Sequence, residues 1–279
     1  LRASHVVLEP GAWSSQRHWH TDLDELLVML AGGTTGASEP AVSAIGAVPG
    51  IRLPRGFRAT LFADDDLASN IYSMTIDARG RVVVAGPGYV RALVDRNRDG
   101  KAESAIEFSK RPANGAQGLF FDGNDLLATG DGAMWRISDA DGDGRSEGNP
   151  KRLLVIRAGG EHDAHAIRRG PDGWFYLLAG NGAGVTAKFA DLPSSPIKKP
   201  SAGTLLRLPP DLSASEILVD GFRNAYDFAF NAPGDLFVYD SDGERDVSLP
   251  WYRPTRVFHA LPAHNTGWFS RSWKRPDHF

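Results

Sequence analysis

No cysteine occurs among the 279 residues. Disulfides, thiolate nucleophiles, cysteine-ligated zinc or iron–sulfur clusters and a covalently attached c-type haem are thereby excluded. An excess of one charge is also missing: 31 Lys and Arg stand against 34 Asp and Glu, net −3. That balance leaves no basic footprint for a nucleic-acid backbone, and nucleic acid is not an expected partner. Long apolar runs are lacking too. The longest near the N-terminus, Leu26–Leu30, falls far short of the roughly 20 residues that cross a bilayer, so no membrane span is expected in this chain. Finally, no stretch of ten or more residues carries a 3.6-residue apolar period, which argues against an α/β fold. What is present is an ordinary globular composition, 42% hydrophobic with 31 Gly and 18 Pro.

The chain divides by composition. Residues 1–32 alternate short strand-like bursts, residues 33–50 are rich in Gly, Ala, Ser, Thr and Pro and read as a linker, and residues 51–279 repeat one phrase. A secretory signal ending at Leu26–Ala44 is the competing reading of the first part, but Asp22–Glu25 is acidic where such a signal is basic. The repeated phrase is an apolar strand, a tight glycine turn and a second apolar strand, and it begins at Tyr72, Gln117, His165 and Tyr226. Its turn glycines, Gly80, Gly123, Gly173 and Gly234, lie 43, 50 and 61 residues apart, the spacing of four-stranded propeller blades with loop insertions. Third strands follow at Tyr89–Asp95, Gly132–Asp139 and Gly203–Asp211. The expected fold is all-β, a propeller with about four blades in this chain; a β-sandwich or barrel with long loops is the alternative.

Three groups of residues invite chemistry. In the first, His18 and His20 alternate along one strand and Glu25 returns on the next, a three-ligand set for a divalent transition metal, with Gly11 and Gly32 at matching distances. This is similar to the first cupin motif. The second motif, with its fourth ligand, is not found downstream, so residues 1–32 are expected to be a partial, cupin-like remnant, with a cupin-type metal protein as an alternative reading. In the second group, Asp95–Gly100 and Asp139–Gly144 carry the acidic ladder of a calcium loop, with Asp139, Asp141 and Asp143 at positions 1, 3 and 5. Neither has the usual Glu at position 12, where Ile106 and Pro150 stand, and solvated Asp/Gly turns need no metal.

The third group lies between Glu161 and Asp246, with matching segments "EHDAHAIRRGPDGWFYLLAGNG" from Glu161, "DGFRNAYDFAFNAPGDLFVYDSDGERD" from Asp220 and "PWYRPTRVFHALPAHNTGW" from Pro250. Here the chain resembles the glucose/sorbosone dehydrogenase-like family of six-bladed propellers that bind pyrroloquinoline quinone (PQQ) with calcium, particularly the dehydrogenase-like modules of planctomycete-type bacteria. The resemblance implies a general base at His162, with His165 its near rival, and quinone contacts at Arg223 and Asn224, with Gln117 a weaker candidate. It also implies a calcium loop at Asp240, Asp242, Glu244 and Asp246, a sugar or polyol substrate, and a periplasmic or secreted setting. The electrons would pass to an external acceptor, such as a cytochrome c domain outside this chain. Against six blades this chain is about two short, so an incomplete propeller and a fragment of a longer protein are expected.

The chemistry of such a site stands independently of the resemblance. Removing hydride from an alcohol carbon needs a base for the hydroxyl proton, and neutral imidazole, with an unperturbed pKa of about 6.5, suits that task. A guanidinium offers a rigid fork of donors to carboxylates or carbonyls of an anionic quinone. Arg223 paired structurally with Asp220 or Asp227, the histidines bonded to backbone, and Trp251, Tyr252, Trp268 and Trp273 serving as blade packing are the structural alternatives. A calcium-stabilised propeller that binds a glycan or a protein without catalysis is the alternative function.

Overall fold

The structure, a computed structural model, describes the backbone of residues 2–8, 25–29 and 57–60 and, with side chains, residues 61–241, 243, 247–248 and 252–268. Successive antiparallel meanders follow one another along the chain. The first blade comprises β4 (Ser73–Ile76), β5 (Val82–Gly86), β6 (Tyr89–Val94) and β7 (Ser104–Ser109). The second comprises β8 (Gly118–Asp122), β9 (Asp125–Gly130), β10 (Ala133–Ile137) and β11 (Lys151–Val155). The third comprises β12 (Ala164–Arg169), β13 (Phe175–Ala179), β14 (Gly203–Leu208) and β15 (Glu216–Phe222). In the fourth, three strands are described: β16 (Asp227–Phe230), β17 (Leu236–Asp240) and β18 (Arg256–His259). The fold is an all-β propeller arrangement with an incomplete set of blades, as the repeated phrase predicts.

The four turn glycines link the first two strands of each blade with φ of +78°, +65°, +81° and +100°, a region that L side chains rarely enter. In the fourth turn Asn231 adds a side-chain clamp, its Oδ1 accepting from the N–H of Gly234 and of Asp235.

Blades pack face to face, and this explains why their middle strands read as continuous apolar runs rather than as alternation. Successive side chains of a strand point to opposite faces. On β9, Leu126 and Ala128 pack towards the first blade, whereas Leu127 packs towards the third. On β13, Phe175, Leu177 and Ala179 join the second blade, while Tyr176 and Leu178 join the fourth. The first strands adjoin in series, β4 against β8, β8 against β12 and β12 against β16, and so form the innermost ring. That ring is tight: a Cβ on Gly118 of β8 would collide with the His165 carbonyl of β12.

Ahead of the blades, β1 (Arg2–Leu8) runs parallel to β2 (Glu25–Met29) and antiparallel to β3 (Phe57–Ala63). Phe62 and Ala63 of β3 join the cluster of Ile71, Val84 and Leu93 on the outer face of the first blade. His18, His20 and the linker at 33–50 lie outside the described residues, and of Glu25 only the backbone, at the start of β2, is described. No helix among the described residues is long and apolar enough to cross a membrane.

Candidate functional site

The segments that enter the innermost strands converge at one mouth of the propeller. Tyr72 precedes β4, Gln117 precedes β8, His162 precedes β12, and Arg223, Asn224 and Tyr226 precede β16. Turns between second and third strands meet them there, and a short ladder of backbone bonds ties the two sets together. Gly182 N–H donates to His162 O (2.8 Å), Gly180 N–H to Asp163 O (2.8 Å) and Asn181 N–H to Arg223 O (2.7 Å). The loop that carries Asn181 is thus held between the entry to β12 and the entry to β16.

His162 keeps about a fifth of its side chain exposed, and its Nδ1 lies 2.6 Å from Asn181 Oδ1. An amide oxygen can only accept, so Nδ1 carries the proton, and in the neutral ring Nε2 is the nitrogen with the lone pair. Exposed Glu161 stands 3.9 Å from that Nε2. His165, by contrast, is fully buried. Its Nε2 donates to Asn224 Oδ1 (3.1 Å), its ring lies 4.6 Å from that of Tyr226, and its carbonyl accepts from Thr129 Oγ1 (2.8 Å). Burial drives its pKa down to about 4, against weaker opposing effects from Asn224 and the Glu161 backbone. Nδ1 of His165 is buried without a hydrogen-bond partner. This ring is a neutral wall element that orients Asn224, and of the two histidines only His162 reaches the mouth.

Arg223 is 5% exposed; its Nη1 donates to Ser241 Oγ (3.0 Å), and its guanidinium carbon lies 5.5 Å from the centre of the Trp268 ring, a cation–π contact. The indole N–H of Trp268 is buried without a partner. The structural alternatives for Arg223 are engaged elsewhere: Asp227 pairs with Arg168 (2.8 Å), and Asp220 accepts from Ser201, Ala202 and Asn265.

Asp240, expected from the sequence to hold calcium, also accepts from backbone N–H groups. Oδ2 accepts from Arg223 N–H (3.0 Å), and Oδ1 from the N–H of Asn224 (2.9 Å) and of Ser241 (3.0 Å). These three backbone donors let the side chain fix the Arg223–Asn224 turn, and of the roughly four acceptor sites of a carboxylate they leave about one, on Oδ2, for a further partner. Burial nevertheless pushes its pKa up, with the same three donors pulling the other way. Asp242, Glu244, Asp246, Trp251 and Trp273 lie outside the described residues. Gln117 does belong to the mouth: its Oε1 accepts from Gly159 N–H (3.3 Å), which ties the entry to β8 to the loop before His162.

The residues missed in the sequence are Asn181, Ser241 and Tyr226. Asn181 sits in the "AGNG" that follows β13, and a polar amide between glycines at the mouth-side end of a strand is the signal that marks it. The Asp139 loop lies elsewhere, after the third strand of the second blade, and takes no part in the mouth.

Residues 45–252 match the family described as a domain of unknown function, DUF7133. No curated protein matches the sequence. Among solved structures, a candidate oxidoreductase (glucose dehydrogenase) from Thermus thermophilus is similar at 20% identity and TM-score 0.51, over 75% of this chain and 67% of that one. The holo form of the pyranose dehydrogenase PQQ domain from Coprinopsis cinerea is similar at 13% and 0.51, over 70% and 51%. The calcium structure of a Trichoderma reesei protein of Carbohydrate-Active Enzymes Family AA12 is similar at 13% and 0.51, over 72% and 54%. The chain thus spans from about half to two thirds of these structures' lengths, and at such identities the likeness shows the fold.

Proposed function

The chain belongs to the DUF7133 family, and we propose that its propeller mouth is the site of a quinoprotein-like oxidoreductase that oxidises a sugar or polyol hydroxyl with PQQ and calcium. One observation carries the reading. A half-buried imidazole whose Nδ1 is held by Asn181, leaving Nε2 as the outward nitrogen, shares a mouth with the Arg223–Asn224 pair, although 61 residues separate His162 from Arg223. Support of a second kind comes from the fold's solved neighbours, one a PQQ domain in its holo form and one a calcium structure.

The residues present fit an anionic, carbonyl-rich cofactor. Arg223 supplies a guanidinium already aligned by Ser241 and Trp268, and the unpartnered indole N–H of Trp268 is a further donor beside it. Asn224, its carbonyl held by His165, has its NH2 to donate. Of the four acids expected to hold calcium, Asp240 lies beside them at the entry to β16 with acceptor capacity left on Oδ2, and Asp242, Glu244 and Asp246 lie outside the described residues. When bound, PQQ supplies the two-electron acceptor for hydride, and calcium the charge that polarises its carbonyl. His162 takes the proton of the substrate hydroxyl on Nε2, and Asn181 holds the ring in the tautomer that can accept it. His165 stays neutral and orients Asn224. The electrons then leave to an external acceptor, which a redox dye replaces in an assay.

The test is a titration of the full chain with PQQ, with and without calcium, followed by absorbance and thermal melting, and then a dye-reduction panel of aldoses and polyols. Saturable, calcium-dependent binding with dye reduction is the expected result. Stabilisation by calcium with no response to PQQ overturns this reading in favour of a non-catalytic calcium-stabilised propeller that binds a glycan or a protein.

A further inference from the structure

We infer that the loop between β10 and β11 is a calcium site of a short type, closed by Glu147 at position 9, and that it staples the second blade to the first. A carboxylate oxygen from each of Asp139, Asp141, Asp143 and Glu147 lies within 4.8 Å of the others. Among the described residues no Lys or Arg forms an ion pair with any of the four. The independent sign of a missing partner is Asp139. It is only 5% exposed, its Oδ2 accepts from Gly144 N–H (2.9 Å), and its Oδ1 is buried with no partner. A buried carboxylate oxygen left unpaired is costly, and here it belongs to the same carboxylate that joins three exposed acids. An all-oxygen set of this charge suits a hard divalent cation, calcium before zinc.

The neighbouring contacts say what the ion would hold. Past the ladder, Ser146 N–H donates to Phe108 O of β7 (2.8 Å), and Arg79 from the first hairpin turn of the first blade donates to Gly142 O. The loop is therefore clasped by the outermost strand and by a turn of the preceding blade. Arg81 lies beside Gly144, but its guanidinium pairs with Asp77 (2.6 Å).

The corresponding loop of the first blade is built alike, Gly100 N–H donating to Asp95 Oδ2 (2.9 Å), but carries one carboxylate fewer. Asp95, Asn97, Asp99 and Glu103 occupy the same four positions. There the Asn97 amide donates to Asp99 Oδ2 (3.0 Å), and Glu103 accepts from the N–H of Arg96 (2.9 Å) and of Asn97 (3.4 Å). Asp95 Oδ1 is likewise buried without a partner, and Glu147 accepts from Ala140 N–H (2.6 Å) as Glu103 does from Arg96, so the two loops differ in one respect: an amide bonded to Asp99 replaces one carboxylate and leaves one negative charge fewer for a cation. Position 12, which is Pro150 in the second-blade loop, is not needed once Glu147 faces the ladder.

The test uses the full chain without PQQ, so that it stands apart from the dehydrogenase reading. Calcium binding is measured by calorimetry and thermal melting after treatment with a chelator, for the native chain, for Asp141→Asn with Asp143→Asn, and for Glu103→Gln. The amide oxygens of the double variant keep the turn bonds made to Asp143 N–H and Arg145 N–H. The expected dissociation constant is roughly 10⁻⁵–10⁻³ M, weakened about tenfold or more in the double variant and unchanged in Glu103→Gln. Without calcium the double variant should melt at or slightly above the native chain, since it relieves repulsion; with about 5 mM calcium it should melt below it. Equal calcium affinity and equal calcium stabilisation in the native chain and the double variant, or a loss of stability that is the same with and without calcium, overturns the site.

Discussion

His162 keeps about a fifth of its side chain exposed and leans on Asn181, whereas His165, three residues on, is fully buried, bonded to Asn224 and packed on Tyr226. The first lies in the loop that enters β12, and the second lies within the strand, against its inner-ring neighbours. Identical side chains are thus placed on opposite sides of a solvation boundary. On one side the imidazole meets solvent at the mouth. On the other it is too poorly solvated to charge, and serves as a neutral hydrogen-bonding wall.

The sharpest way to break this comparison is to remove each ring in turn. His162→Asn should cut dye-coupled sugar oxidation by roughly 10²–10⁴-fold with little change in Tm, as loss of a general base does. A variant that keeps its activity shows that the base lies elsewhere. His165→Ala should cost about 2–5 kcal/mol of stability by opening a cavity beside Tyr226, measured by denaturant unfolding; a loss under about 1 kcal/mol contradicts the buried-wall role.

Acid sharpens the comparison further. His165 has a pKa of about 4 in the fold, against about 6.5 unfolded, so the unfolded chain takes up the proton first. Its contribution is intact above about pH 6.5 and is lost as pH falls towards 4, by about 3 kcal/mol in all. The stability profile of His165→Ala should be correspondingly flatter over that window, and a native-like slope in the variant assigns the acid sensitivity to other groups. The smallest effect concerns Asn181, a positioning residue. Asn181→Ala should lower kcat about tenfold with KM and Tm nearly unchanged, because it releases the tautomer without removing the base. A change confined to Tm would make Asn181 purely structural.

A second contrast, between β13 and β17, shows how far the pattern of a strand can be read. Both are apolar second strands after a glycine turn. Every residue of β13 is buried, whereas Phe237 and Tyr239 of β17 are 36% and 45% exposed while Leu236 and Val238 are covered. The sequence marks both as strands through turn chemistry and β-branched or aromatic content. It does not say whether one face or two will be covered, since that depends on which blades lie alongside. The mouth shows the same limit. Gly-Pro-Asp before β13 and Arg-Asn before β16 are visible as phrases, and the resemblance they carry points to His162, Arg223 and Asn224. Asp240 reads as a metal ligand because acidic residues follow it, and its engagement with three backbone donors emerges only when the turn after β15 folds over it.

By itself the sequence determined the local grammar: where strands turn, through glycines able to adopt positive φ, where acidic ladders stand, and which chemistries the lack of cysteine removes. Only the tertiary structure decided which of two histidines meets solvent, which carboxylates accept from backbone N–H groups, and that Glu147 stands with Asp139, Asp141 and Asp143 in the second-blade loop. The reason is physical. Turn and strand preferences arise among residues a few places apart, whereas burial and hydrogen-bond satisfaction at the mouth are set by neighbours that the blades bring in from 16 to 59 residues away.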